Sequence, residues 1–251
     1  MLVMGILNVT PDSFADGGRH NDFEAAVARG LEMIAEGVDI IDIGGESTRP
    51  GAERVSEAEE IARTIPVITE LSRHGATISI DTMRASTAEA AVKAGASIIN
   101  DVSGGLADVA MLQTAARLQV PYIAMHWRGH SKEMNSKATY GDVVIDVISE
   151  LNERIEAALD AGIHRDKLII DPGIGFAKEA EHNWAIIDSI DRIVAMGYPV
   201  LVGASRKRFL GGDSPDEREQ ATIELTKRLS TTGVWAVRVH SVKPHKQVLS
   251  S

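Results

Sequence analysis

The 251-residue chain contains no cysteine, which excludes a disulfide framework, a thiolate metal site and a catalytic thiol. It lacks any apolar run near the roughly 20 residues that a membrane-spanning helix needs. Basic residues are not in excess. Twenty-six Lys and Arg against 36 Asp and Glu give a formal net charge of −10, which argues against a general nucleic-acid or anionic-membrane binder and leaves room only for a local basic cluster holding a small anion. No charged, apolar and small-residue leader is present, and Met1 runs almost directly into a strand, so a cytoplasmic location is expected. No linker, low-complexity tract or internal duplication divides the sequence, which reads as one domain over residues 1–251.

What is present is a regular alternation. Short apolar runs at Leu2–Leu7, Val38–Ile43, Ala76–Ile80, Ser97–Ile99, Val120–Met125, Leu168–Ile170, Pro199–Val202 and Val234–Val239 read as strands. Helical faces lie between them, among them Phe23, Val27, Leu31 and Ile34 after the first strand, and Val144, Ile148, Leu151, Ile155 and Leu159 after the fifth. Ser56 with Glu59 and Ser86 with Glu89 have capping-box spacing, so each is expected to start a helix. Pro66 falls inside one of these helices, where a kink or break is expected. The acidic run Glu57–Glu60 reads as a solvated face. After the last strand only Lys243–Leu249 has room to be helical. Eight strand-then-helix units in a chain near the ~250 residues of one closed barrel predict a single-domain α/β protein, a (β/α)8 TIM barrel with a shortened last helix.

In such a barrel the C-terminal ends of the strands share one face, where active sites are built. The residues at those ends are Asn8, Gly45–Arg49, Asp81, Asn100 and Asp101, His126, Asp171, Ser205–Lys207, and Arg238–His240. Asp81, Asn100 and Asp171 suit a flat heterocycle carrying several N–H donors, because Asp accepts bidentately and Asn both donates and accepts. Lys207, Arg238 and His240, with Arg49 opposite, suit a diphosphate. Together they suggest a bipolar site, an acidic floor for a ring and a basic side for an anion. Any one strand-end Asp or Asn reads first as a helix cap; three of them at strands three, four and six, facing a basic set, favour a ligand. His126 fits a loop anchor as well as a catalytic group. After Asp171, Pro172 ends the strand, and Gly173 and Gly175 allow a sharp turn with close backbone approach. They do not form a dinucleotide fingerprint, since the third glycine is missing. His74, His130 and His164 read as surface residues, and Trp127, Trp184 and Trp235 as packing.

Eight stretches in family order then resemble the signatures of the dihydropteroate synthase family, the pterin-binding enzymes of folate biosynthesis. They are GILNVTPDSFADGG at Gly5–Gly18, DIGGESTRPG at Asp42–Gly51, SIDT at Ser79–Thr82, INDVSG at Ile99–Gly104, MH at Met125–His126, DPGIGF at Asp171–Phe176, GASRK at Gly203–Lys207 and RVH at Arg238–His240. The resemblance implies condensation of 6-hydroxymethyl-7,8-dihydropterin diphosphate with p-aminobenzoate, giving 7,8-dihydropteroate and diphosphate with Mg²⁺. It implies that Asp81, Asn100, Asp171 and Lys207 read the pterin, that Arg238 and His240 meet the diphosphate, and that the Asn8 amide oxygen ligates Mg²⁺. It places Thr48 and Arg49 on one substrate-covering loop and Asp16 on another, with Phe176 and Ser205 beside the p-aminobenzoate pocket. Asp16 is expected to stabilise the pterin cation or order its loop. A homodimer through the last helices is implied as well. The sequence departs from the pattern at Ala15, where serine is common, at Ala177, where glycine is common, at Trp127, and at Ser241, where aspartate is usual. Ser241 motivates an alternative, a non-catalytic paralogue binding a pterin or an anion. A methyltetrahydrofolate-binding methyltransferase domain shares the barrel and leaves the basic cluster unexplained.

Overall fold

Side chains alternate across a β-strand with a period of two, and that alternation decides what faces the middle of this molecule. The computed structural model describes residues 1–10, 18–46, 54–130 and 133–250. Its strands are β1 (Leu2–Asn8), β2 (Ile40–Gly44), β3 (Ile78–Asp81), β4 (Ile98–Asp101), β5 (Tyr122–Met125), β6 (Leu168–Asp171), β7 (Leu201–Val202) and β8 (Ala236–Val239). They are parallel and form one eight-stranded sheet in the order β6-β5-β4-β3-β2-β1-β8-β7. A parallel bridge between Ile170 and Val200 joins its two edges. The fold is the (β/α)8 TIM barrel.

The interior explains where polar chemistry can sit. Met4, Ile40, Ile98, Ile123, Ile169, Leu201 and Ala236 form one buried cluster, the plug that fills a barrel of this size. Two residues further along the same strands stand Asp42, Asn100, Asp171 and Arg238. They therefore share the inward side with the plug, one step nearer the C-terminal mouth. The alternate residues, among them Ile41, Ile43, Ile78, Ile80, Ile99, Ile170, Val202 and Val237, belong to the outer core beneath the helices. Each fully buried branched side chain there contributes about 1.5–3 kcal/mol.

The helices are α1 (Gly18–Ala35), α2 (Glu57–Arg73), α3 (Ala85–Ala94), α4 (Met111–Leu118), α5 (Val143–Asp160), α6 (Ala180–Asp188), α7 (Ile190–Val194), α8 (Glu217–Leu229) and α9 (Val242–Leu249). The short last helix is as expected. Three local expectations are corrected. First, α2 runs unbroken through Pro66; burial of Val67, Ile68 and Leu71 on its core face outweighs the one N–H donor that proline lacks. Second, Ser86 does not cap α3. The helix begins at Ala85 with Arg84 at the cap position, and its first N–H is taken by Asp108 Oδ2 at 2.8 Å. Third, Glu60 is not solvated: it is 0% exposed, because its carboxylate accepts from Thr82 Oγ1 at 2.6 Å and Thr87 Oγ1 at 3.1 Å and pairs with Arg84. The helical stretch after β6 divides at Ser189 into α6 and α7. Ser56 does cap α2, accepting from Glu59 N at 3.2 Å.

The remote cap on α3 gives a direct test. Asp108→Ala is expected to lower the unfolding free energy by about 1 kcal/mol and Ser86→Ala by less than about 0.5 kcal/mol, compared by urea titration. The reverse ranking would restore Ser86 as the cap.

Candidate active site

Asp42, Asp81, Asn100 and Arg238 meet at the barrel mouth. Arg238 donates through Nε to Asp42 Oδ2 at 2.6 Å and through Nη2 to Asp81 Oδ2 at 2.7 Å. Asn100 Nδ2 donates to the same Asp42 oxygen at 3.0 Å. Gly44, the next inward position on β2, keeps this space open, since a Cβ there would lie 3.4 Å from Asp81 Cβ. Burial works against charge on Arg238, but Asp42 and Asp81 outweigh it and hold the guanidinium protonated. Burial also pushes the Asp81 carboxyl up to about 7 against the pull of Arg238, and Asp42 adds to the rise. Asp42 Oδ1 and the Ser79 hydroxyl are buried without a hydrogen-bond partner among the described residues. The expected separation of an acidic floor from a basic side is therefore corrected. Arg238 spans the mouth and is part of the floor.

The turn after β6 forms the next wall. Asp171 is buried, and its Oδ1 accepts from Gly173 N at 2.7 Å; burial raises its carboxyl, while that bond, Lys207 and Arg238 oppose the rise. Gly173 and Gly175 have φ of +67° and +79°, as the close turn requires, and Ala177 follows at +49°. The left-handed backbone at 177 is the physical reason for glycine there in the family pattern, since it costs alanine about 1 kcal/mol. Lys207 donates to Ile174 O and holds its ammonium 4.5 Å from the centre of the Phe176 ring. Burial lowers Lys207 to about 7, with Asp171 opposing and Arg238 reinforcing the shift.

The β7 and β8 ends are joined by Ser205, whose Oγ lies 3.0 Å from His240 Nδ1 and accepts from His240 N at 3.2 Å. Ser241 leaves this end supported: its Oγ accepts from Arg206 Nη2 at 2.7 Å, and Arg206 Nε donates to Glu219 Oε2 at 2.7 Å. A neutral serine is accommodated because Glu219 supplies the carboxylate. Asn8 is half-buried where β1 reaches the mouth. Asp16, Thr48 and Arg49 lie outside the described residues. The stems flanking residues 47–53 are tied by Glu46, which accepts from Val55 N and Arg54 Nε at 3.1 Å and Arg84 Nη2 at 3.0 Å.

His126 is the loop anchor rather than a mouth residue. It is 1% exposed, with Nε2 2.9 Å from Glu150 Oε2 and Nδ1 2.9 Å from Lys178 Nζ. Sequence reasoning gave no role to Asp42, Lys178, Asn183 or Glu150. Asp42 was detectable as an acid inside the apolar run Val38–Ile43; the other three carry no local signal. Of the tryptophans, Trp235 packs on the barrel plug and Trp184 stacks edgewise on Phe209 with centroids 5.4 Å apart.

Residues 4–240 match the pterin binding enzyme family. The chain is 49% identical to the dihydropteroate synthase of Mycobacterium leprae, over 96% of this chain and 88% of that one. It is 47% identical to that of Bacillus subtilis, over 96% and 84%. Among solved structures, the dihydropteroate synthase of Xanthomonas albilineans with 4-aminobenzoic acid superposes with a TM-score of 0.93 at 43% identity, covering 99% of this chain and 90% of that one. The same organism's enzyme in complex with 7,8-dihydropteroate gives 0.90 at 40% identity, covering 99% and 91%.

The anchor predicts a pH dependence. Burial, with Lys178 beside it, lowers His126 to about 4 against the opposing Glu150. An unfolded histidine, near pKa 6.5, therefore binds its proton before the folded one does, and stability is lost as pH falls from about 6.5 to about 4. Thermal melts are expected to fall across that window in the wild type. His126→Gln should show a shallower slope there, and equal slopes would remove His126 as the buried neutral group.

Proposed function

The chain belongs to the pterin-binding enzyme family, within its dihydropteroate synthases, and from that premise we propose how its barrel mouth does the chemistry. The reaction joins 6-hydroxymethyl-7,8-dihydropterin diphosphate to p-aminobenzoate, releasing 7,8-dihydropteroate and diphosphate in folate biosynthesis. The observation that carries the assignment of residues is the convergence of Asp81, Asn100, Asp171, Lys207 and Arg238 from five strand ends on one mouth. Asp81, Asn100 and Asp171 accept from and donate to the pterin edge, and Lys207 donates to its carbonyl or ring nitrogen. Gly203 lies beside these groups, a Cβ there standing 3.9 Å from Arg238 Cβ and 4.0 Å from Asp171 Oδ2. Arg238 and His240 receive the diphosphate. Phe176 and Ser205 border the p-aminobenzoate pocket, and Thr48, Arg49 and Asp16 are assigned to the covering loops by the family pattern.

Mg²⁺ fits this donor set. An amide oxygen at the mouth is a hard oxygen donor, and Mg²⁺ takes few protein ligands while sharing substrate phosphates. The Asn8 amide oxygen would hold it, and bound there it would neutralise charge on the leaving diphosphate.

The carbon–oxygen bond to diphosphate breaks with its electron pair going to the anion, while the pterin ring stabilises the exocyclic cation. Arg238 and His240 stabilise the developing charge, Lys207 and Asp171 fix the ring, and the covering loops assigned by the family pattern would keep water away. The amine nitrogen of p-aminobenzoate then bonds to the methylene carbon and loses its proton. No covalent nucleophile is needed, in keeping with a chain that has no cysteine. The intact Ser205–His240 and Arg206–Ser241 contacts favour this reading over a non-catalytic paralogue. No helix among the described residues is long and apolar enough to cross a membrane. A cytoplasmic homodimer belongs to the same proposal and rests on the family pattern.

Purified protein given the pterin diphosphate, Mg²⁺ and p-aminobenzoate is expected to form dihydropteroate. Asp171→Asn should weaken pterin binding by at least about tenfold, because a buried acceptor that reads a substrate N–H discriminates strongly, and should change p-aminobenzoate binding much less. Equal small effects on both substrates would contradict the role of Asp171.

A further inference from the structure

The turn from Asp171 to Lys178 delivers several groups to the mouth. It carries the Gly173 N–H bound to Asp171 at 2.7 Å, the Ile174 carbonyl that receives Lys207, and the Phe176 ring under the Lys207 ammonium. Its backbone is left-handed at 173, 175 and 177, with φ of +67°, +79° and +49°. Such conformations persist where the surroundings over-determine them. Asn183 supplies one restraint, its Oδ1 accepting from Gly175 N at 2.6 Å.

Lys178 supplies another. Its Nζ lies 3.0 Å from Gly173 O, 3.1 Å from Phe176 O and 2.9 Å from His126 Nδ1. An ammonium has three donors and no acceptor, and these contacts use all three. Glu150, which accepts from Arg128 Nε at 3.1 Å, can only accept at the other histidine nitrogen, 2.9 Å away. The proton of His126 therefore sits on Nε2 and leaves Nδ1 as the acceptor for Lys178. The two bonded carbonyls lie at the two ends of the turn. Removing the ammonium releases both from the side-chain clamp and leaves the Gly173 carbonyl bonded to Phe176 N alone, at 3.0 Å, while the steric lock at Gly173, where a Cβ would strike the His126 carbonyl, remains.

We propose that Lys178 is a positioning residue that clamps the strand-six turn and thereby places Asp171, Lys207 and Phe176 for pterin binding. The proposal rests on the reading of Asp171 and Lys207 as pterin-reading groups. Lys178 does not touch substrate in this account, because its donors are spent within the protein. His126 and Glu150 act behind it, fixing the direction in which the ammonium points.

The absence of cysteine from the chain makes the test clean. Lys178→Cys introduces the sole thiol, and alkylation with 2-bromoethylamine, verified by mass, rebuilds an ammonium at nearly the lysine length. The probe is 6-hydroxymethyl-7,8-dihydropterin without diphosphate, followed by titration calorimetry. Lys178→Cys is expected to weaken binding at least about tenfold, equivalent to about 1.4 kcal/mol. Aminoethylation should restore affinity to within about threefold of wild type, and alkylation with neutral iodoacetamide should not. A merely structural defect would not be rescued by charge at this atom. Wild-type affinity in the thiol variant, or failure of aminoethylation to restore binding, would overturn the clamp. If Lys178→Cys does not fold, Glu150→Gln is read instead. Its loss of the charge that fixes His126 should weaken pterin binding about threefold or more, and unchanged binding would overturn the proposal. Wild-type protein that binds the pterin but makes no dihydropteroate would sink the enzymatic reading while leaving the clamp tested; wild-type protein that binds no pterin would remove both.

Discussion

Arg238 reaches from β8 to Asp42 on β2 and Asp81 on β3, with contacts of 2.6 and 2.7 Å, and Asn100 on β4 joins the same Asp42 oxygen at 3.0 Å. Buried carboxylates without a counter-charge are expensive, and removing one member of such a pair typically costs about 3–5 kcal/mol. A guanidinium suits the task because its donors form a rigid planar fork that serves two acids at once. Four strands are thereby tied at the mouth above the apolar plug. In the proposed function ring recognition and anion recognition would share this side chain and so be coupled.

The architecture was legible because it follows from short-range rules. Branched residues ending on an acid, as in Leu168–Asp171, and the same pattern at Ile78–Asp81, locate strand ends without reference to anything distant. Period-two alternation then puts those acids inward. The errors arose where distant segments decide the outcome. Glu60 has helical spacing suited to a solvated face, yet Thr82, Thr87 and Arg84 approach it from across the fold. Ser86 has cap spacing, yet Asp108 from the loop between β4 and α4 occupies that role. The bipolar site failed for the same reason: Arg238 and Asp42 are 196 residues apart in sequence, and no spacing rule joins them. Lys178 and His126, 52 residues apart, were equally invisible.

Two departures from the family pattern acquire physical meaning in the fold. Ala177 occupies a left-handed position that glycine would take without strain, and its carbonyl accepts from the Tyr140 hydroxyl at 2.8 Å, one of the contacts that hold it there. Ser241 replaces an acid beside Arg206, and Glu219 from α8 provides the neutralising carboxylate. In both cases a neighbouring contact supports the residue that departs from the pattern.

The double role proposed for Arg238 is to organise the pterin floor as well as to meet the diphosphate. Its most direct test is the affinity of Arg238→Met for 6-hydroxymethyl-7,8-dihydropterin, a ligand with no diphosphate, in protein whose fold is verified by thermal melting. The shared network predicts that binding of this uncharged-tail ligand weakens at least about tenfold, or about 1.4 kcal/mol, because Asp42 and Asp81 lose their common partner. Unchanged affinity for that ligand, with a loss confined to the diphosphate ester, would contradict it.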